Sequence, residues 1–230
     1  MAKKMKWEKK IDRTRVDNQL KEAQQEWREA RQNIFEHRSF IPNIYYDDFF
    51  KLFKLNAEIL LFERGEKTEY KIDDYNKSAL SFICTYLQKC EGVDHKKGIM
   101  IVGDIGTGKT LMLKTAIKII EKHTIKRFKQ LHSKEVAEAI KEAESGIRSL
   151  KKMPMLIDDI GKEQKEAKDY GSAFNPIPDL FALRWDFGSW TFATCNYNFD
   201  DLVNFYGRST VDRMNQMFNI ITLKGESRRK

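Results

Sequence analysis

The run Gly103-Asp104-Ile105-Gly106-Thr107-Gly108-Lys109-Thr110 constrains this chain more than any other segment. It fits the spacing G-x-x-x-x-G-K-T. A short apolar run, Ile99-Met100-Ile101-Val102, precedes it, and Leu111, Leu113, Ala116, Ile119 and Ile120 follow on one helical side. A strand, a glycine-rich loop and a helix in that order make a known geometry. The loop N–H groups turn inward around an anion, and the helix N-terminus adds its partial positive charge. The anion that suits this arrangement is phosphate. Lys109 is expected to reach the β and γ phosphates of ATP as a mobile charge, and the Thr110 hydroxyl to ligate Mg²⁺. The expected nucleotide contacts are therefore Gly103, Ile105, Gly106, Thr107, Gly108, Lys109, Thr110 and Leu111, with Thr110 also a metal ligand.

Downstream, helical and apolar runs alternate. Strands are expected at 99–102, near 125–128, at 155–157, at 191–194 and at 218–223. Helices are expected from Lys109, over 133–144, near 178–187 and, as two short pieces, from Phe199. Strands separated by helices imply right-handed crossovers and a parallel sheet covered on both faces, an α/β fold. Upstream, Asp73 or Asp74 is expected to cap a helix burying Ala79, Leu80, Ile83, Tyr86 and Leu87. Between Asp17 and Arg38, the residues Leu20, Ala23, Trp27, Ala30 and Ile34 recur at steps of three and four, a helical stripe. Aromatic residues crowd the next segment, Tyr45 to Phe62, and Arg64-Gly65-Glu66-Lys67 ends it. A boundary placed there divides the chain into a helical N-terminal region, 1–66, whose stripe suits packing onto the rest of the chain or binding a partner, and an α/β domain, 67–230.

The run Met155-Leu156-Ile157-Asp158-Asp159 turns from apolar to doubly acidic, as a parallel strand does when it ends at a ligand. Asp158 is expected to hold magnesium through its water shell, and Asp159 to orient or deprotonate the attacking water. Many such ATPases carry glutamate where Asp159 stands, so slow hydrolysis is expected. The strand at 191–194 leads to Asn196, whose amide suits the γ-phosphate or the attacking water; the competing role is capping the helix that begins at Phe199. Arg208 and Arg213 lie five positions apart on a short helical stretch, where an arginine supplied across a subunit boundary offsets transition-state charge.

The 230 residues include 42 Lys+Arg against 34 Asp+Glu, a formal charge of +8, which favours a polyanionic partner such as nucleic acid. Cys84, Cys90 and Cys195 are too scattered for a disulfide framework or a zinc site. The basic start, Met1 to Lys6, has no apolar stretch behind it, and the longest apolar run, near 57–62, is interrupted by Glu58. These features predict a cytoplasmic, reduced protein with no membrane span.

In this order, the phosphate loop, Leu156-Ile157-Asp158-Asp159-Ile160-Gly161, Thr194-Cys195-Asn196, Gly207-Arg208 with Asp212-Arg213-Met214, and Gly225-Glu226-Ser227-Arg228-Arg229 resemble an AAA+ ATPase of the DnaC/IstB-like group. The resemblance covers roughly 72–229. It implies strand order 5-1-4-3-2 and no C-terminal lid. It also implies that Arg213 looks like a trans-acting finger, Arg208 a supporting contact and Arg229 a nucleotide-sensing arginine. The partners it implies are a hexameric replicative helicase, held by the N-terminal region, single-stranded DNA, and further copies of the chain in a nucleotide-dependent oligomer. Lys126, Arg127 and Lys129, Lys151 and Lys152, and Lys162, Lys165 and Lys168 with Tyr170 and Phe174 are suited to DNA contact. The alternatives are a transposition helper that binds duplex DNA and a nucleotide-gated adaptor with little turnover.

Overall fold

The computed structural model describes residues 45–67, 69–169 and 172–228, together with Asn18, Lys21, Glu22, Gln24 and Gln25, which are helical and exposed. Most of the helix expected over 17–38 lies outside the described residues. The compact unit that carries the sheet begins at Phe40.

Seven helices and seven strands follow one another among the described residues from Tyr46 onward. Helices α1 (Tyr46–Glu63) and α2 (Lys77–Leu87) precede β1 (Gly98–Val102), the phosphate loop and α3 (Lys109–His123). Then come β2 (Lys129–His132), α4 (Val136–Lys141), β3 (Met155–Ile160) and a small hairpin of β4 (Ala167–Asp169) with β5 (Ser172–Phe174). The chain continues through α5 (Pro176–Asp186), β6 (Thr191–Cys195), α6 (Phe199–Tyr206), α7 (Arg208–Met217) and β7 (Phe218–Thr222). The main sheet runs β2-β3-β6-β1-β7, and every pairing in it is parallel. With the hairpin set aside, that order is 5-1-4-3-2 read from the β7 edge.

Period-two alternation along the strands explains how one sheet makes two cores. Ile99, Ile101, Leu156 and Phe192 point to a layer built from α1, α2 and α3. Met100, Met155, Ile157, Ala193 and Cys195 point to the opposite layer, built from α4, α5, α6 and α7. The sheet is thus sandwiched between helical layers.

Three local expectations are corrected. The second strand begins at Lys129, not near 125; Glu121 Oε1 accepts from the Phe128 N–H at 2.7 Å, so residues 125–128 form a connection tied back to α3. Asp73 does not cap α2. Its carboxylate accepts from the Tyr75 and Asn76 N–H groups in a turn, and Asn76 stands at the helix start. The division after residue 66 is not where the fold divides. Phe49, Phe53 and Ala57 of α1 are fully buried in the same core as α3 and the sheet, and Lys118 of α3 pairs with Glu63 at 2.7 Å. Helix α1 is therefore part of the α/β unit.

A buried cation closes the end of the sheet remote from the phosphate loop. Arg184 is fully buried and spends its donors on carbonyls: Met153 and Trp190 at 2.9 Å each, Leu150, and the Thr191 hydroxyl at 2.9 Å. Burial without a carboxylate partner pulls its pKa down to about 10.

Phe53 packs between Phe49 and Tyr70, with ring centroids at 5.9 Å to each. Phe53→Ala is expected to lower unfolding free energy by about 3–5 kcal/mol in urea titration. A change within experimental error would detach α1 from the α/β core.

Candidate functional site

The site starts from an irregularity in β3. Its register with β6 shifts between Ile157 and Ile160, so the ladder bulges at Asp158 and Asp159. Two neighbours on a regular strand would point to opposite faces; a bulge re-aims them. Asp159 takes φ +58, a left-handed conformation that costs a non-glycine residue on the order of 1 kcal/mol or more. Two fully buried hydroxyls hold it there. Thr194 Oγ1 accepts from the Asp159 N–H at 2.8 Å, and Ser133 Oγ donates to the Asp159 carbonyl at 2.7 Å. Thr194 also donates to Asp158 Oδ1 at 2.6 Å.

The same Asp158 oxygen accepts from the Thr110 hydroxyl at 2.7 Å. That bond joins the start of α3 to the end of β3 and places the phosphate loop directly beside the acidic strand tip. In the loop, Gly106 and Gly108 adopt φ +87 and +97, the left-handed turns that aim successive N–H groups into a concavity. Lys109 is buried and donates from Nζ to the Gly103 and Asp104 carbonyls at 2.7 and 2.6 Å. Burial lowers its pKa, against the opposing pull of Asp159.

Asp159 sits in a ring of donors. Asn196 Nδ2 donates to Oδ1 at 3.0 Å, Lys162 Nζ donates to Oδ2 at 2.6 Å, and His132 Nε2 stands 3.8 Å away. His132 Nδ1 accepts from the Lys134 N–H, which leaves Nε2 as the protonated nitrogen facing the carboxylate. Burial alone would raise the Asp159 pKa; the hydrogen bond and charge of Lys162, with help from Asn196 and His132, hold it below the ordinary value.

A cavity of about 660 Å³ opens over these groups, a size in the range of nucleotide and cofactor sites. Ile105, Gly106, Thr107, Gly108, Lys109, Thr110 and Leu111 line it, with Asp159 and Asn196. Gly103 contributes its carbonyl to Lys109 behind the loop, and Asp158 is reached through Thr110. Asn196 does not cap α6; Asn198 does, accepting from the Asp201 N–H at 2.9 Å. Arg208 and Arg213 do not line the cavity. Arg208 is exposed at the first turn of α7, and Arg213 is half-buried over the Trp185 ring at 5.9 Å.

Arg229 lies outside the described residues, and its neighbour Arg228 lines the cavity instead. The Arg228 N–H donates to the Gly106 carbonyl at 2.9 Å, and its guanidinium holds Asp73 at 2.7 and 2.8 Å. Lys162 also lines this cavity, bonded to Asp159. Of the other basic candidates, Lys151 lies over the Phe187 ring and Lys165 over the Phe205 ring, while Arg127 donates to the Glu121, Thr124 and Lys126 carbonyls that end α3. Tyr170 is outside the described residues. A further wall, formed by Leu61, Arg64, Glu66, Glu69, Tyr70 and Lys71 between α1 and α2, had no motif to announce it.

No protein-family model matches this sequence, and no match to a curated protein sequence was found. Solved structures do match. A DnaC helicase loader superposes with a TM-score of 0.56 at 20% identity, covering 69% of this chain and 95% of the other. A putative primosome component from Streptococcus pyogenes serotype M3 gives 0.54 at 24% identity, covering 68% and 84%. The replication initiator DnaA, bound to AMPPCP and single-stranded DNA, gives 0.52 at 17% identity, covering 68% of this chain and 49% of that one. The fold is that of the AAA+ ATPases. At these identities the likeness is one of fold, and the AAA+ sheet order accounts for the site. It sets β6, with Thr194 and Asn196 at its end, between β1, which leads into the phosphate loop, and β3, which carries both aspartates.

The Asp159 cluster makes a pH prediction. A carboxyl whose folded pKa lies below its unfolded value of 3.8 contributes stability in full above that value, and loses it as pH falls through the folded pKa. Asp159→Asn is therefore expected to be less stable than the parent near neutral pH and to converge with it in acid, followed by urea unfolding between about pH 2.5 and 7. A difference that stays constant across that range would contradict the ion-paired cluster.

Proposed function

We propose that this chain binds and hydrolyses ATP with Mg²⁺, and that it is a DNA-replication factor that loads or remodels a replicative helicase on single-stranded DNA. The observation that carries the first part is the 2.7 Å bond from Thr110 to Asp158 beside the Gly106–Gly108 concavity, with Lys109 and Asp159 lining the same cavity. Oxygen donors of this kind suit magnesium, which keeps waters and phosphate oxygens around one or two protein ligands. Thr110 and Asp158 would hold the ion. Its positive charge would offset the negative charge that develops on the phosphates during hydrolysis.

The chain's own residues do the rest. The loop N–H groups cradle the phosphates, and Lys109 exchanges the Gly103 and Asp104 carbonyls for phosphate oxygens. Asn196 and Asp159 orient the attacking water, and Asp159 takes its proton. Arg213 and Arg208, remote from this chain's own cavity, act on a neighbouring copy's nucleotide when the chain self-associates. That self-association and the segment before Phe40, which grips the helicase, belong to the same proposal. The structural likeness to a DnaC helicase loader and to DnaA bound to single-stranded DNA supports the replication reading. No helix of the described residues is long and apolar enough to cross a membrane, in keeping with a factor working in the cytoplasm.

Lys109→Ala removes a charge-assisted contact worth about 2–3 kcal/mol, so ATP should bind about 30–150-fold more weakly in a fluorescent-nucleotide titration. Unchanged affinity would refute the phosphate-loop assignment. The parent chain should retain a replicative hexameric helicase in the presence of ATP and single-stranded DNA. Failure to retain it, with ATP binding intact, would remove the loader role and leave the ATPase.

A further inference from the structure

Lys162 pairs with one anion at the edge of the cavity. Its Nζ lies 2.6 Å from Asp159 Oδ2, and its side chain lines the same cavity wall that faces Lys109 and the phosphate loop. A mobile surface lysine would not hold that position, but this one is anchored through its neighbours. Gly161 turns the chain off the end of β3 at φ +94, where a Cβ would meet the Tyr197 ring at 2.5 Å. Its N–H donates to Glu163 Oε2 at 2.9 Å, and the Tyr206 hydroxyl donates to Glu163 Oε1. Glu163 is buried, so the turn is clamped on both sides of Lys162. The backbone is fixed and only the four-carbon stem is free to swing.

We propose that Lys162 is a catalytic cation supplied within the same chain: it neutralises the Asp159 carboxylate until a nucleoside triphosphate enters, then moves its charge to the γ-phosphate and releases Asp159 to face water. This rests on the ATPase reading above. The triphosphate brings several negative charges into a cavity already holding Lys162, and a flexible ammonium follows the stronger field. The exchange couples two events that hydrolysis needs together. The γ-phosphate gains a positive neighbour, and the carboxylate loses the partner that occupied the lone pairs of Oδ2. Water oxygen then bonds to the γ-phosphorus as the bond from phosphorus to the β,γ-bridging oxygen breaks. The bridging oxygen keeps the electron pair and leaves with ADP, and the water proton passes through Asp159 to the released phosphate. Asn196, on Oδ1, holds the carboxylate in place during the exchange.

The groups facing Asp159 are Lys162, Asn196 and His132, with Lys109 and Cys195 also close enough to feel its charge. Steady-state ATP hydrolysis by the parent, Lys162→Met and Lys162→Arg is the test, with fluorescent-nucleotide affinity measured on each. The parent must turn over ATP; if it does not, the ATPase reading fails, and this inference with it. Given turnover, Lys162→Met should lower kcat about 100–1,000-fold, the order lost with one transition-state donor. Its nucleotide affinity should change by less than about threefold, since Lys109 and the loop amides still hold the phosphates. Lys162→Arg, which keeps the positive charge, should recover part of kcat. A kcat for Lys162→Met equal to or above the parent's would overturn the proposal, the latter showing a latch with no catalytic part. A loss in kcat that Lys162→Arg does not recover at all would also overturn it, leaving only a structural turn.

Discussion

The site depends on a bulge that two buried hydroxyls, those of Thr194 and Ser133, hold in place. Asp159 lines the cavity, and Asp158 meets its wall through Thr110, where β3 leaves its ladder with β6 and Asp159 enters the left-handed region. Thr194 meets both consequences at once, accepting from the backbone of one aspartate and donating to the carboxylate of the other. Without that hydroxyl the bulge would leave a buried N–H unpaired, which costs on the order of 1–3 kcal/mol. The strain and the arrangement it supports are thus one feature: the strand is distorted where the chemistry is wanted, and the neighbouring strand supplies the hydrogen bonds that keep it so.

Charge is distributed around this edge with little left uncompensated. Lys162 answers Asp159, Arg228 answers Asp73, and Lys109 is met only by carbonyl oxygens. A cation solvated by carbonyls is easier to redirect than one locked to a carboxylate, which suits Lys109 to meeting an incoming phosphate first. The segment ending in Arg228 adds another layer. Its N–H bonds the Gly106 carbonyl, so residues far apart in sequence join the wall of the loop. The remote arginines belong to a different surface. Arg208 is exposed on α7 and Arg213 is half-buried over the Trp185 ring.

Much of this was legible in the sequence, and the parts that were not share a cause. The loop at Gly103–Thr110 and the acidic end of β3 are local patterns, because a strand, a turn and a helix N-terminus are built from adjacent residues. The order of the main strands followed from the resemblance their motifs carry. What the pattern could not reveal is contact at long range. Phe49, Phe53 and Ala57 read as a separate aromatic helix, and only packing on α3 shows that α1 belongs to the main core. Lys162 read as one of several basic surface residues, since nothing in Gly161-Lys162-Glu163 signals that a buried Glu163 clamps the turn. Arg228 and Arg229 are indistinguishable as letters; the bond from the Arg228 N–H to Gly106 separates them. Strand β2 was placed too early because Ile125 and Phe128 are apolar, although Phe128 is tied back to α3 and Ile125 is exposed.

The central claim is that Thr110 and Asp158 share one metal ion against a triphosphate seated on the loop amides. A crystal structure of the chain with Mn²⁺ and a non-hydrolysable ATP analogue tests it most directly, because manganese scatters anomalously and takes magnesium's place among oxygen ligands. The account predicts an anomalous peak at the Thr110 hydroxyl beside Asp158, with the β and γ phosphates over Gly106, Gly108 and Lys109. Manganese or phosphates found elsewhere in the cavity, with the Thr110–Asp158 contact undisturbed and remote from both, would contradict it.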